Sequence, residues 1–359
     1  MNPIHQRNVP PNAINPREEI GHLVLDPQQA SYLDLLTQDL AHSGDSQTPG
    51  IRARAATAAT QLKLRMTREQ DALMYAYARG SLSALVVEGL SNVSADPIPS
   101  SLPALPDFEI RQDVRRLGLR HQILLELVAH DAFAYDLDNE GKIVRIVANL
   151  KGGGSVSLPW EPSDVEQSSH SGLALGPHTE APYWCAVEAQ NGHSPSPSAL
   201  ILTALWNPQQ EPTALIPLAP IIKELGIDHC LALTTPWFQF TRSDSFVKGM
   251  GEDGKNVSIL SFDEHGGFAV RFNVYRFSVM KEAPQSVKEA YDAFRAAIDR
   301  TQPFRYTLSQ STALIINNTR ALHCRDVVRD NMRTLIRVFG YAKHVKPIIC
   351  SHDPLLVRG

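Results

Sequence analysis

The sequence has no long apolar run, no paired cysteines and no strong excess of charge. Its longest apolar stretch, residues 198–206, is too short to cross a bilayer, and the first residues lack the apolar core of a secretory signal. A net charge of −4 gives no general reason to expect nucleic-acid or membrane binding. The 4 cysteines form no CxxC pair, which argues against a zinc ribbon or a disulfide framework. We therefore expect a cytoplasmic enzyme with no nucleic-acid or membrane partner.

Turn-forming residues, in contrast, are frequent. The 25 prolines and 21 glycines, spread along 359 residues, indicate many turns between short strands rather than a helical bundle. Asp26 and Pro27 suit the start of a helix that ends near residue 43, and residues 51–80 are rich in helix-forming residues. A further long helix is predicted over 112–132, followed by a hairpin with strands at 133–137 and 142–147.

The rest of the pattern predicts the fold class. Short strands separated by turns continue to residue 341, and one helical insert is predicted around 286–300. We predict an α+β fold with a double-stranded β-helix, or jelly-roll, core that is backed by helices and has a helical N-terminal region. The predicted segments are an arm and helices over 1–84, the jelly-roll core over 85–345 and a C-terminal tail over 346–359.

A His-x-Glu pair, His178 and Glu180, is the first candidate for a functional site. Residues two apart on a strand point to the same face, so both side chains could hold one metal ion. A third ligand, His323, follows the apolar run over residues 312–316. Two histidines and a carboxylate with open positions opposite are the pattern of non-haem Fe(II) oxygenases. The pair alone is also compatible with a solvated polar strand end, because thirteen histidines make one such pair expected by chance.

Two arginines, Arg333 and Arg337, lie in a predicted strand near the end of the chain. Their spacing puts both guanidinium groups on one face. Burying them is costly unless they meet anions, and carboxylates of bound ligands would supply these, since the planar guanidinium pairs with a carboxylate through two hydrogen bonds. An edge strand with two solvated arginines is the alternative.

The candidate residues occur along the chain in the order His178, Glu180, Thr213, His323, Arg333 and Arg337. This order resembles that of the Fe(II)/2-oxoglutarate oxygenases of the clavaminate synthase and taurine dioxygenase superfamily. Within it, the chain is most similar to the group that hydroxylates free amino acids, which includes asparagine oxygenase and the viomycin-pathway arginine hydroxylase. The resemblance covers roughly residues 85–341 and is strongest at 175–180 and 314–337.

The resemblance implies a cofactor site. His178, Glu180 and His323 would be the catalytic metal ligands and hold Fe(II). Thr213 and Arg333 would bind the distal carboxylate of 2-oxoglutarate. Ascorbate would serve as the reductant in vitro, and O₂ would be the co-substrate.

The resemblance also implies substrate contacts. Arg337 would pair with the carboxylate of an L-amino acid. The alternative is that Arg337 binds 2-oxoglutarate and Arg333 binds the substrate. Gln167 and Ser169 occupy the lid and substrate-contact region of the family. Asn273 and Tyr275 stand where the arginine hydroxylase carries an acidic pair, so a neutral or polar substrate side chain is expected in place of a cationic one.

The implied reaction is hydroxylation of an unactivated C–H bond, at Cβ or Cγ of a free L-amino acid or close derivative, with release of succinate and CO₂. Halogenating relatives have a small residue where this chain has Glu180, so oxygen insertion or desaturation is expected. A carrier-tethered substrate, a small acid that is not an amino acid, and a desaturase or cyclising oxidase of natural-product biosynthesis are the alternatives. A metal-dependent enzyme without 2-oxoglutarate and a non-catalytic binding module also stay open.

Overall fold

A computed structural model describes residues 14–15, 19–150, 170–184, 187–241, 253–263 and 267–359. Within these residues no helix is long and apolar enough to cross a membrane. Two of the predicted substrate contacts, Gln167 and Ser169, lie outside the described residues.

The described residues contain seven α-helices and one short 3-10 helix at Asn139–Gly141. The α-helices are α1 (Pro27–Ser43), α2 (Ile51–Lys63), α3 (Arg68–Ala78), α4 (Leu105–Glu109), α5 (Gln112–Leu127), α6 (Leu218–Leu233) and α7 (Gln285–Arg300). The start of α1 is as predicted: the Asp26 carboxylate accepts hydrogen bonds of 2.8 Å from the backbone N–H groups of Gln28 and Gln29, and Pro27 occupies the first turn. The helix predicted at 286–300 is observed as α7.

The strands of the described residues are numbered in chain order. They are β1 (Ile14–Asn15), β2 (Ile20–Val24), β3 (Ala84–Glu88), β4 (His130–Tyr135), β5 (Val144–Ala148), β6 (Leu175–His178), β7 (Ala199–Trp206), β8 (Thr213–Pro217), β9 (Phe238–Phe240), β10 (Gly254–Val257), β11 (Leu260–Phe262), β12 (Phe268–Val270), β13 (Phe277–Val279), β14 (Phe304–Tyr306), β15 (Ala313–Asn317), β16 (Ala321–Arg325), β17 (Thr334–Ala342), β18 (Ile349–His352) and β19 (Leu355–Val357).

Two sheets define the body of the protein. The major sheet has the order β1-β2-β3-β15-β7-β17-β4-β19-β18, and β5 also pairs with β17. The minor sheet has the order β14-β8-β16-β6, and two small sheets contain β10-β9-β13 and β11-β12. Pairing is antiparallel except between β2 and β3 and between β4 and β19. The chain is thus a mixed α and β fold with mainly antiparallel sheets.

Strand β17 separates the cavity from the helices. Leu335 and Arg337 line a cavity between the major and minor sheets, while Ile336 and Val338 belong to hydrophobic clusters that contain residues of α5. This alternation is that of a strand with both faces covered. Between the sheets, a third cluster joins side chains of β7 and β17 to side chains of β8 and β16, which fixes how the two sheets face each other.

The predicted hairpin over 133–147 is wrong. Strands β4 and β5 do not pair with each other; both pair with β17, one after the other along its length. The connection contains Asn139 and Glu140, both in the left-handed region with φ of 53° and 56°. The chain therefore bends within the sheet, and the nine residues of β17 are enough to pair with two short strands in succession.

The first and last segments of the described residues are integrated into the sheet and the core. Strand β2 pairs with β3, and buried residues of α1, α2 and α3 share one hydrophobic cluster with residues of α5 and the major sheet. The segment predicted as a C-terminal tail contributes β18 and β19, and β19 pairs with β4. The predicted helix over 112–132 ends at Leu127, because Ala129 adopts a φ of 60° and β4 begins at His130.

Candidate metal centre and surrounding cavity

A cavity of about 150 Å³ lies between the two sheets and holds the predicted metal ligands. Its walls come from β5, β7 and β17 of the major sheet and from β6, β8 and β16 of the minor sheet. Leu200 and Leu202 of β7 and Leu335 of β17 are apolar, whereas Arg145 of β5 and Arg337 of β17 are charged. The cavity therefore combines a water-excluding wall with a concentration of ionisable groups.

His178, Glu180 and His323 come together at the minor sheet. His178 on β6 lies directly opposite His323 on β16, with ring centroids 4.1 Å apart. Nε2 of His323 is 3.5 Å from Oε1 of Glu180, and one ligand atom from each of the three residues lies within 4.8 Å of the others. Among the described residues, this is the one cluster of at least three His, Cys, Asp or Glu side chains with that geometry.

Backbone and side-chain contacts orient these ligands. Nδ1 of His178 lies 2.7 Å from the carbonyl oxygen of Gly176, which leaves Nε2 as the nitrogen available to a metal. The backbone N–H of Glu180 donates to Oδ1 of Asn318 at 2.8 Å, and Asn318 donates in turn to Pro197 O at 2.9 Å. Thr179, between the two ligands, points to the opposite side and is 1% exposed.

The protonation states also suit metal binding. Burial and the charge of His323 lower the pKa of His178 to about 3, so its imidazole is neutral at ordinary pH. Burial alone would raise the pKa of Glu180, but the guanidinium of Arg337 and the interaction with His323 outweigh it and hold the pKa below its usual range. A neutral imidazole and a carboxylate are the forms that bind a cation. The donor set therefore fits a divalent iron site of the two-histidine, one-carboxylate kind.

Arg333 and Thr213 form a second polar feature of the cavity. Nη2 of Arg333 donates to Oγ1 of Thr213 at 3.1 Å, which links the start of β17 to the start of β8. Arg333 is 3% exposed, and its Nε has no hydrogen-bond partner among the described residues. A buried guanidinium with an unsatisfied N–H costs free energy unless an anion completes its hydrogen bonds. The pair is thus suited to receive a carboxylate.

Arg337 contacts the carboxylate of the candidate metal site. Its Nη1 donates to Oε1 of Glu180 at 2.6 Å, and its guanidinium carbon lies 4.0 Å from the ring centroid of Phe339. The family resemblance implies a substrate carboxylate as the partner of Arg337. A metal ion bound to Glu180 would compete with Arg337 for this oxygen and leave the guanidinium able to take another anion.

Asn273 lies in the cavity beside the metal ligands. Its backbone forms a β-bridge with His178, its Nδ2 donates to the Tyr183 hydroxyl at 3.2 Å, and its Oδ1 accepts from the backbone N–H of Tyr275 at 3.0 Å. Cys324 also lines the cavity, but burial raises the pKa of its thiol to about 11. The thiol is therefore protonated.

Two charged residues of the cavity were not among the predicted site residues. Arg145 on β5 lies directly opposite Arg337 on β17, and Asp138 accepts a short hydrogen bond from Nη1 of Arg145. Nη2 of Arg337 lies 3.6 Å from Oδ2 of the same Asp138. In the sequence, Arg145 interrupts the apolar run Ile143 to Val147, but this pattern does not identify the strand with which it pairs.

Comparison with known proteins places the fold. No protein-family model and no curated protein sequence matches the chain. Among solved structures, the non-haem iron oxygenase OrfP in complex with Fe matches with a TM-score of 0.69 and 19% identity over 90% of this chain and 94% of that one. OrfP in complex with Fe and alpha-ketoglutaric acid matches with a TM-score of 0.67 and 19% identity over 89% and 93%.

A second solved protein, asparagine oxygenase in complex with Fe(II), 2S,3S-3-hydroxyasparagine and succinate, matches with a TM-score of 0.66 and 17% identity over 89% of this chain and 92% of that one. The matches extend over about nine-tenths of both chains, so this protein shares the overall fold of these structures.

Proposed function

We propose that the protein is a non-haem Fe(II)/2-oxoglutarate-dependent oxygenase that hydroxylates an unactivated C–H bond, at Cβ or Cγ, of a free L-amino acid or close derivative. The observation that carries the proposal is the cluster of His178, Glu180 and His323 in a cavity that also contains three buried arginines. The fold shared with OrfP and asparagine oxygenase supports it, because those structures hold iron together with a hydroxylated amino acid or a 2-oxo acid.

The proposal includes the core architecture. The major and minor sheets would be the two sheets of a double-stranded β-helix, with the metal ligands on the minor sheet and the helices packed outside the major one. The helices before residue 84 would be the helical N-terminal region that backs this core. The antiparallel pairing within each sheet and the cavity between them support this assignment.

Each polar residue of the cavity would have a distinct role. His178, Glu180 and His323 would hold Fe(II), which with 2-oxoglutarate and O₂ supplies the oxidation of the C–H bond and yields succinate and CO₂. Arg333 and Thr213 would bind the distal carboxylate of 2-oxoglutarate, because the unsatisfied Nε of Arg333 and the Thr213 hydroxyl can both donate to it.

Substrate binding would fall to the other side of the cavity. Arg337 would pair with the substrate carboxylate, and Asn273 would contact the rest of the substrate. Gln167 and Ser169, which lie outside the described residues, stay predictions as substrate contacts. The apolar wall formed by β7 would exclude water, so that the ion pairs made by the arginines are strong and the substrate is held in one orientation.

The direct test is succinate release in air with Fe(II), ascorbate and 2-oxoglutarate across a panel of the free amino acids. We expect succinate formation that depends on one or a few of them and is lost in the His178→Ala and Arg333→Ala proteins. His42→Ala and Arg54→Ala, both exposed, are the matched controls and should keep full activity. Succinate formation that survives His178→Ala, or metal-loaded protein that never consumes 2-oxoglutarate, would contradict the proposal.

A further inference from the structure

Two guanidinium groups are held side by side in the cavity by the pairing of β5 with β17. Arg145 and Arg337 are direct cross-strand partners, and both line the cavity. Like charges at directly opposite positions of an antiparallel pair are destabilising. The two residues are 9% and 7% exposed, so little water screens their repulsion. Such an arrangement is stable only with anions between or in front of the two groups.

One carboxylate, Asp138, lies between them. It is 5% exposed, accepts a hydrogen bond from Arg145 and lies 3.6 Å from Nη2 of Arg337. Nε of Arg145 is buried and has no hydrogen-bond partner among the described residues. A single carboxylate therefore neutralises one of the two guanidinium groups and leaves hydrogen-bonding capacity unused.

The charges of the metal and 2-oxoglutarate sites balance once the proposed cofactors are counted. Glu180 and the two carboxylates of 2-oxoglutarate offset the dication and Arg333. Asp138 and Glu180 are the carboxylates among the described residues that line the cavity, so none remains to offset the second guanidinium of the Arg145 and Arg337 pair. Arg276 and Arg325 also line it and carry the same positive sign.

We propose that the pair formed by Arg145 and Arg337 selects a substrate with one net negative charge, of which the α-amino dicarboxylic acids, aspartate-like or glutamate-like, are the amino-acid class. The inference rests on the proposed function and deepens it by naming the substrate class. A zwitterion with a neutral side chain brings no net charge, and a cationic side chain adds a third positive group beside the two guanidinium groups. An N-acylated amino acid has the same net charge as a dicarboxylic one.

This class differs from the neutral or polar side chain expected from Asn273 and Tyr275. That expectation rested only on Asn273 and Tyr275, which line one part of the cavity. Asn273 already satisfies its amide, donating to Tyr183 and accepting from Tyr275. The unsatisfied Nε–H group lies across the cavity on Arg145, and it requires an acceptor, which the carboxylate of an acidic substrate provides.

The test is anaerobic calorimetric titration of the protein loaded with Fe(II) and 2-oxoglutarate, since without O₂ binding is measured apart from turnover. The probes are L-aspartate with L-asparagine, L-glutamate with L-glutamine, N-acetyl-L-alanine with L-alanine, and L-arginine. We expect at least one acid to bind about tenfold or more tightly than its uncharged counterpart, as fits a charged hydrogen bond in a buried site. A preference for the dicarboxylic acids identifies the side-chain carboxylate as the source of the charge, and a preference for N-acetyl-L-alanine identifies the loss of the ammonium group.

Variants of Arg145 separate a selective role from a structural one. Arg145→Gln should abolish the preference for the acid over its counterpart, whereas Arg145→Lys, which keeps the charge, should retain most of it. Arg54→Gln, an exposed arginine of α2, is the matched control and should bind like the wild type. If Arg145→Gln does not fold, the preference of the wild-type protein for an acid over its uncharged counterpart still decides whether the inference holds.

The outcomes also separate this inference from the proposed function. Binding of Fe(II) and 2-oxoglutarate with equal or weaker binding of every acid, or with no probe bound, overturns the inference and leaves the oxygenase proposal intact. An acid preference that persists in Arg145→Gln overturns the role of Arg145. Failure of the protein to bind Fe(II) and 2-oxoglutarate removes both proposals.

Discussion

At the scale of single residues, the contact between Thr213 and Arg333 is the most specific feature of the proposed 2-oxoglutarate site. Arg333 supplies charge, but its side chain is long and needs a fixed partner to keep its orientation. The hydroxyl of Thr213 accepts from Nη2 at 3.1 Å and retains its own hydrogen to donate. One small side chain thus orients the arginine and offers a second donor to the same carboxylate.

Thr213→Val keeps the shape of the side chain and removes only the hydroxyl. We expect the KM for 2-oxoglutarate to rise about tenfold, the order expected for a lost hydrogen bond to a charged group, while kcat changes less. Steady-state succinate formation at varied 2-oxoglutarate concentration measures this. Thr307→Val, an exposed site, is the control, and an unchanged KM in Thr213→Val would count against the proposed role of Thr213.

That His178 and Glu180 lie together could be predicted from the sequence, whereas the positions of Arg145 and Asp138 could not. His178 and Glu180 are two residues apart, so the alternation of a strand alone places them on one face. Arg145 becomes a site residue only because β5 pairs with β17, and this pairing depends on contacts across the sheet that no local pattern records. Asp138 lies directly before the left-handed turn at Asn139 and Glu140, so its position also depends on the path of the folded chain.

At the scale of elements, the position of β6 determines the geometry of the metal cluster. Gly176 lies two residues before His178, its carbonyl accepts from the imidazole, and a Cβ placed there would clash with Cγ1 of Val274. A larger residue at this position must therefore displace either β6 or the segment that contains Val274. The absence of a side chain at Gly176 lets β6 approach that segment closely.

Gly176→Ala should therefore weaken binding of Fe(II) by about tenfold or more, since small displacements of supporting contacts cost this much in metal sites. Calorimetric titration under anaerobic conditions measures the affinity. Adding Val274→Ala removes the nearest clashing atom and should restore much of the loss. Equal metal affinity in Gly176→Ala and wild type would mean that the close approach of β6 is not needed for the site.

Helices were predictable where the sequence carries its own start signals, as α1 shows with its Asp26 cap and Pro27. Strand order was not predictable, and the hairpin over 133–147 illustrates why. Both β4 and β5 have the pattern of strands, but their common partner β17 lies far along the chain. Local patterns give the type of an element, while long-range packing decides which strands pair.

At the scale of the whole molecule, buried neutral histidines make the fold sensitive to acid. Burial lowers the pKa of His130 from 6.5 to about 4 and lowers that of His121 well below 6.5. In the unfolded chain both would titrate near 6.5. Below pH 6.5 the unfolded state binds more protons than the folded state. The stability contributed by the neutral histidines is therefore complete above pH 6.5 and is lost as the pH falls toward 4.

We expect the free energy of unfolding to fall by about 1.4 kcal/mol per pH unit for each such histidine in this range. Urea unfolding at several pH values between neutral and mildly acidic conditions measures the slope. His130→Gln should reduce the slope by up to about 1.4 kcal/mol per pH unit, which corresponds to one proton. Substitution of the exposed His42 in His42→Gln should leave the slope unchanged. An identical slope in wild type and His130→Gln would contradict the assignment of a buried, neutral His130.

The central claim is that His178, Glu180 and His323 hold iron beside an arginine that binds 2-oxoglutarate. The most direct measurement is an anaerobic titration with Fe(II) and then 2-oxoglutarate, followed by visible charge-transfer absorption, because it needs no knowledge of the substrate. We expect a band that requires both additions, is absent in His178→Ala and needs higher 2-oxoglutarate concentrations in Arg333→Ala. A wild-type protein that does not bind Fe(II), or a 2-oxoglutarate titration unchanged in Arg333→Ala, would contradict the claim.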